Sequence, residues 1–224
     1  MHGLKSKNYI ETGFKSLDTE PHHFSLGELI IIEGRPAMGK TQLLVNLALN
    51  ISLKKPVLFY SFEMLESVLS ERMQAVLSSV SMDKMRQNEL NGEETAQLML
   101  AQADFDKLQL HINDSSSNCS ISAFEEHCKQ MIEEKGIKVI FIDYIQLMNA
   151  KRLGHHKNRE AEMSCISQIL KAIAREHDVC VIASSQFSRP VEIRGGDKRP
   201  ISPTPTRGVT PAIEQSEPAG GRSG

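Results

Sequence analysis

The 224-residue chain has no tryptophan, and its three Tyr and eight Phe bring the aromatic share to only 5%. Exposed rings on which bases could stack are therefore scarce, which counts against a base-stacking platform for nucleic acid. Cysteine is sparse too: Cys119, Cys128, Cys165 and Cys180 show no C-x-x-C spacing, so reduced and mostly packed thiols are expected. No apolar run approaches the roughly 18 to 20 residues of a membrane span. The start Met1-His2-Gly3-Leu4-Lys5 lacks the apolar stretch of a signal peptide. These absences predict a soluble, cytoplasmic protein with no membrane partner. Charge of one sign is missing as well: 26 Lys+Arg stand against 28 Asp+Glu, so no global basic field points to nucleic acid. The pairs His22-His23 and His155-His156 have no third ligand spaced to join them, and surface loops are expected there rather than metal sites.

What is present is enough apolar residue, 40%, to fill one sizeable core. Short apolar runs read as strands at 29–33, 57–61, 108–112, 139–142 and 179–183. Between them, apolar residues at 3/4 spacing read as helices at 42–53, 65–80, about 92–105, about 122–135 and 160–177. Either Ser120 or Ser122 caps the fourth of these helices. Continuous apolar strands alternating with helices predict an α/β fold with a mainly parallel sheet and helices on both faces. Composition changes at the end, where Pro, Gly and Ser supply eleven of the 24 residues 201–224. That segment is expected to be disordered, since it buries too little apolar surface to offset chain entropy.

The strongest chemical signal is Gly34-Arg35-Pro36-Ala37-Met38-Gly39-Lys40-Thr41, a complete G-x-x-x-x-G-K-[ST] phosphate loop between a predicted strand and a predicted helix. Successive backbone N–H groups and a helix N-terminus can wrap a polyphosphate, and glycine permits the close approach. Lys40 would meet the β- and γ-phosphates, and the Thr41 hydroxyl would ligate Mg²⁺. Asp143 ends the apolar run Val139-Ile-Phe-Ile142 at the sheet edge where α/β folds place ligands, and fits a Mg²⁺-orienting role. On position, Glu63 suits either activation of a water or stabilisation of the helix that starts nearby. Gln186, just past the run 179–183, suits either a γ-phosphate contact or an ordinary polar loop.

Taken with Thr12-Gly13-Phe14-x-x-Leu17-Asp18, Ser61-Phe-Glu63-Met64, Ile142-Asp-Tyr-Ile-Gln-Leu-Met148, Asn158-Arg-Glu160 and Ser185-Gln-Phe-Ser-Arg189, the phosphate loop resembles the C-terminal motor domain of DnaB-type replicative helicases, in order and spacing over residues 12–200. Arg-Pro-x-Met-Gly-Lys-Thr and Asp-Tyr-x-Gln-Leu-Met separate the chain from recombinases and clock-type ATPases on the same core. The resemblance implies a RecA-like fold, ATP with Mg²⁺ bound between subunits of a hexamer, and 5′ to 3′ translocation on single-stranded DNA. It assigns phosphates and Mg²⁺ to Lys40 and Thr41, the Walker B acid to Asp143, the catalytic base to Glu63 and the phosphate sensor to Gln186. It also points to the stretch after Asp143 as a DNA-contacting loop, with Lys151, Arg152, Lys157 and Arg159 as cations suited to phosphate. Primase and loader contacts leave no motif.

Residues 1–11 read as an N-terminal extension of this core. The family's C-terminal DNA loop, hairpin and arginine finger have no convincing counterpart in 201–224, so a truncated or divergent end is expected. Intact nucleotide binding with weak turnover would follow. A nucleotide-binding protein that joins rings of a full-length helicase without acting as a motor, and a recombinase-like ATPase, are the other readings of the same residues.

Overall fold

The computed structural model describes residues 8–19, 23–114, 120–149 and 159–186. Its first elements are two short antiparallel strands, β1 (Tyr9–Ile10) and β2 (Phe24–Ser25), in which Ile10 and Phe24 are buried. The turn between them is built on Asp18. One carboxylate oxygen accepts from the Thr12 backbone N–H and hydroxyl, both at 2.8 Å, and the other accepts from the Gly13 N–H at 3.0 Å. Gly13 has φ 81°, and a Cβ there would come within 2.6 Å of Asn50 Nδ2. The Asn50 side chain donates to the Thr12 carbonyl at 2.9 Å. The Thr12-Gly13…Asp18 motif is thus a clasp fastening this segment to the helix that carries Asn50.

The main sheet contains β3 (Leu29–Gly34), β4 (Val57–Ser61), β5 (Leu110–Asn113), β6 (Val139–Asp143) and β7 (Cys180–Gln186), in the spatial order β3-β7-β6-β4-β5. All four pairings are parallel. Parallel neighbours need crossovers, and helices supply them. Helix α1 (Lys40–Ser52) joins β3 to β4. Then α2 (Glu66–Ser78), α3 (Met82–Gln87) and α4 (Gly92–Phe105) lead to β5, α5 (Ile121–Lys135) leads to β6, and a 3₁₀ turn η1 (Ile145–Leu147) and α6 (Arg159–Glu176) lead to β7.

Strand side chains alternate between faces, so each all-apolar strand feeds two cores. Val139 and Phe141 of β6 pack with Leu44, Leu47 and Ile51 of α1 and with Leu69 and Met73 of α2. Ile140 and Ile142 pack with Phe124 and Cys128 of α5 and with Ile166, Leu170 and Ile173 of α6. This two-sided burial is why the β6 run shows no polar alternation. Cys128 and Cys180 are buried thiols and Cys165 is a partly covered one, as the spacing predicts. Burial pushes the Cys180 thiol well above its usual range.

The sequence reading did not foresee β1, β2 or η1, and it started β5 at 108 rather than at Leu110; otherwise the elements follow it, apart from shifts of a residue at some ends and four further differences. Helix α1 starts at Lys40 rather than 42, so the loop lysine belongs to its first turn. The run at 65–80 stops at Ser78, because Ser79 turns left-handed at φ 58°, and the short α3 follows. Ser120, not Ser122, caps α5, its hydroxyl accepting from the Ala123 N–H at 3.3 Å. Strand β7 runs on through Ser184-Ser185-Gln186, because β3 pairs with it through Gly34↔Gln186, and polar side chains do not stop a ladder made by backbone groups. Gln186 is therefore the last residue of a strand and not a loop residue beyond it.

Candidate nucleotide-binding site

Strand β3 delivers the chain to Gly34 at the C-terminal edge of the sheet, and α1 leaves from Lys40, so the loop between them must reverse direction within five residues. Two left-handed residues make the turn, Ala37 at φ 61° and Gly39 at φ 82°. Glycine meets the second without strain. Lys40 closes the loop from inside, its Nζ donating to the Gly34 carbonyl at 3.0 Å and to the Arg35 carbonyl at 2.9 Å. Arg35, Pro36, Ala37, Met38 and Gly39 are exposed. Helix α1 has no side-chain cap and no acid in its first turn. Its leading N–H groups and the positive end of its dipole therefore face outward beside the loop, which is an arrangement for an anion.

Thr41, one residue into α1, reaches across to β6. Its hydroxyl donates to Asp143 Oδ2 at 2.7 Å, and Ser184 of β7 donates to Oδ1 at 2.5 Å. Asp143 is only 2% exposed, so both oxygens of a buried carboxylate are satisfied by hydroxyls. The start of α1 and the ends of two strands, far apart in sequence, are thus tied at one point on the sheet edge. The peptide between Asp143 and Tyr144 is cis.

The register brings Glu63 to the same edge. Ser61 pairs with Asp143, and the Phe62 N–H donates to the Asp143 carbonyl at 2.9 Å, extending the ladder one step. The Ser61 hydroxyl then donates to the Met64 carbonyl at 2.7 Å and accepts from the Met64 N–H at 3.2 Å, closing a tight turn whose outer residue is Glu63. Glu63 is exposed. The Tyr144 phenol is pushed above its usual pKa, chiefly by burial and then by the negative charges of Glu63 and Asp143, so both carboxylates act on one ring. At the start of α2 a second acid takes part, Asp114, whose carboxylate accepts from the Glu66 N–H at 3.1 Å. Gln186 pairs directly with Gly34, the first residue of the loop.

Among the residues expected to matter, Gly34 to Thr41, Glu63, Asp143 and Gln186 converge on this edge. Arg159 does not stand free: its guanidinium is paired with Glu162 and donates to the Gln146 carbonyl. Lys151, Arg152 and Lys157 lie outside the described residues, as do Cys119, His22, His155 and His156. His23 is stacked at a tilt against Tyr9, with ring centroids 5.7 Å apart. No cluster of metal-ligating His, Cys, Asp or Glu occurs among the described residues, and no described helix is long and apolar enough to cross a membrane.

Two participants were not singled out from sequence. Ser184 was readable as a polar residue closing an apolar strand toward the loop. Gln146 sits inside the Asp-Tyr-Ile-Gln-Leu-Met motif but carries no signal of its own that separates it from its neighbours.

Comparison with known proteins agrees with this geometry. The model for the DnaB-like helicase C terminal domain matches residues 9–205. The replicative DNA helicase DnaB of Geobacillus stearothermophilus is 37% identical over 195 residues, covering 86% of this chain and 42% of that protein. The replicative DNA helicase DnaC of Bacillus subtilis is likewise 37% identical over 195 residues, with the same two coverages of 86% and 42%. The chain therefore spans less than half the length of these curated relatives. Among solved structures, a DnaB-like replicative helicase described with its interactions with primase superposes with a TM-score of 0.77 at 28% identity, over 86% of this chain and 46% of that one. A second solved chain, described as an ATPase domain, superposes with a TM-score of 0.76 at 30% identity, over 86% of this chain and 68% of that one. The five-stranded parallel sheet is accordingly the RecA-like fold of these ATPase domains. A phosphate loop fastened through Thr41 to the acid ending β6, on this fold and over this length of matching sequence, places the chain in the family of DnaB-like helicase C-terminal domains.

Proposed function

We propose that this chain is the ATP-hydrolysing motor domain of a replicative DNA helicase, with Mg·ATP as its nucleotide and single-stranded DNA as its track. The observation that carries the reading is the 2.7 Å bond from Thr41 to Asp143, which sets the end of the phosphate loop against the acid of β6. A hydroxyl and a carboxylate side by side are the hard oxygen donors that Mg²⁺ prefers, so these residues suit that ion. When bound, Mg²⁺ supplies positive charge against the β- and γ-phosphate oxygens.

The chain's own residues divide the remaining work. Backbone N–H groups of the loop after Pro36 and of the first turn of α1 hold the polyphosphate, and Lys40 Nζ exchanges its carbonyl partners for phosphate oxygens. Glu63 accepts the proton of the attacking water as the water oxygen bonds to the γ-phosphorus and the bond to the ADP oxygen breaks. Gln186 contacts the γ-phosphate and reports its loss. The core responsible runs over residues 12–200, flanked by 1–11 and 201–224.

In this reading the subunits work in the cytoplasm as a homo-hexamer or in a mixed ring with a longer helicase, moving 5′ to 3′ on the strand. Lys151, Arg152, Lys157 and Arg159 supply backbone phosphate contacts, for which Arg159 must release a guanidinium already paired with Glu162. A primase is the partner suggested by the relative described with one.

The test is Mg·ATP binding and hydrolysis with and without single-stranded DNA, with sedimentation to follow assembly. Lys40→Ala should abolish binding. Glu63→Gln should leave binding intact while hydrolysis falls by about 10² to 10⁴, the range of general-base catalysis. Failure of the unmodified chain to bind Mg·ATP sinks the proposal.

A further inference from the structure

The end of β7 is held from two sides. Strand residues alternate faces, so Ser184 and Gln186 project to one side and Ser185 to the other. Ser184 is bonded to Asp143. On the opposite side, the Gln146 carboxamide comes up from η1. Its Nε2 donates to Ser185 Oγ at 2.9 Å and to the backbone carbonyl of Gln186 at 3.0 Å. A carbonyl only accepts, so the orientation of this amide is fixed with nitrogen toward β7. Its Oε1 is then left buried with no hydrogen-bond partner among the described residues.

A methionine of similar length would fill the same space without desolvating an unpaired oxygen. The carboxamide is therefore explained by what its N–H groups hold and not by packing. Its own backbone is anchored in turn. Arg159, the first residue of α6, donates to the Gln146 carbonyl and pairs with Glu162, which is 5% exposed. One run of polar contacts leads from α6 through η1 to Gln186, and Gln186 lies opposite Gly34 at the mouth of the loop.

We infer that Gln146 is a positioning residue for triphosphate recognition: by clamping Ser185 and the Gln186 backbone, it fixes how the Gln186 side chain meets the terminal phosphate. It thereby sets the preference of the site for a nucleoside triphosphate over the diphosphate. The inference rests on the proposed sensing role of Gln186, and the experiment separates the two.

Affinities for ADP and for the non-hydrolysable AMP-PNP, both with Mg²⁺, are measured on the full chain and on Gln186→Ala, Gln146→Met, Gln146→Glu and Ser185→Ala. Gln186→Ala should erase the preference for the triphosphate analogue. Gln146→Met and Gln146→Glu, which lack the donor, should each reduce that preference about tenfold while ADP affinity stays within about twofold. Ser185→Ala, which removes one of two acceptors, should give a smaller loss in the same direction. A purely structural Gln146 would weaken both nucleotides alike. Equal weakening of both, or an unchanged preference in the Gln146 variants alongside a clear loss in Gln186→Ala, overturns the inference and leaves the sensor standing. An unchanged preference in Gln186→Ala, or no preference in the unmodified chain, overturns the sensor and the inference with it.

Discussion

Helices α1 and α4 are nearly the same length, 13 and 14 residues, and they are held in opposite ways. Seven residues of α1 are buried, and its N-terminus has no side-chain cap. Only Ala101 of α4 is buried, with Met99 and Leu100 more than two-thirds exposed, and its N-terminus carries a full capping box between Asn91 and Glu94. Around α4 the polar contacts lie on the surface: Lys84 with Glu94, Arg86 with Glu71, and Gln74 with Gln102. Helical stability comes mostly from a buried face, and local caps matter most where that face is thin. Packing thus frees the first turn of α1 from the need for a cap, and the uncapped N–H groups are the ones beside the phosphate loop. Function is placed where tertiary packing is strongest, and local chemistry holds together the helices that pack least.

The contrast predicts an order of effects. Leu47→Ala, which removes a fully buried side chain of α1, should cost about 2 to 5 kcal/mol in urea unfolding. Asn91→Ala should cost about 0.5 to 2 kcal/mol in the same assay, with nucleotide binding unchanged. If the cap proves the costlier of the two, packing is not what distinguishes the helices. Arg86→Ala should produce a smaller change still, one that weakens at high salt, because its direct 2.8 Å pair with Glu71 lies at the surface.

The subtlest effect is one of pH. The hydrogen bond from Lys84, and then that from the Asn91 N–H, hold the Glu94 carboxyl below its usual value. A depressed folded-state pKa contributes stability above the ordinary carboxylate range and loses it as pH falls through the folded value. The unmodified chain should therefore lose more stability than Glu94→Gln when unfolding is repeated at about pH 4 and below. Equal acid sensitivity in both chains would remove the charge of Glu94 from the account of α4.

These two helices also mark what the sequence made legible. Apolar helical spacing located α1, and the boundaries of α4 match the reading, but the sequence pattern could not say that one helix would be sealed in and the other left on the rim. That depends on which elements the chain later lays over each. The phosphate loop and Asp143 were readable because each belongs to a local pattern, a glycine-lysine spacing and a four-residue apolar run ended by an acid. Gln186 was readable as a residue but not as a strand end, since the ladder that includes it is made with Gly34, 152 positions earlier. Ser184 and Gln146 act through contacts with Asp143 and β7 that no window of neighbouring residues contains. Arg159 read as a cation suited to DNA phosphate, and its tie to the buried acid Glu162 three residues on carried no signal of its own in the sequence.

The order of the sheet has a consequence for how the chain is made. Strand β3 carries the phosphate loop, yet its partner in the sheet is β7, the last strand of the described chain, inserted between β3 and β6. As the chain leaves the ribosome, β4, β5 and β6 can pair with one another while β3 waits more than a hundred residues for its neighbour. Long-range parallel pairing of this kind is slow to form. The loop therefore cannot be drawn against Asp143 until Cys180 to Gln186 has been synthesised and threaded into place. Nucleotide-binding competence should arrive in a single late step, and a nascent chain stopped before β7 should hold most of the residues of the site without having the site.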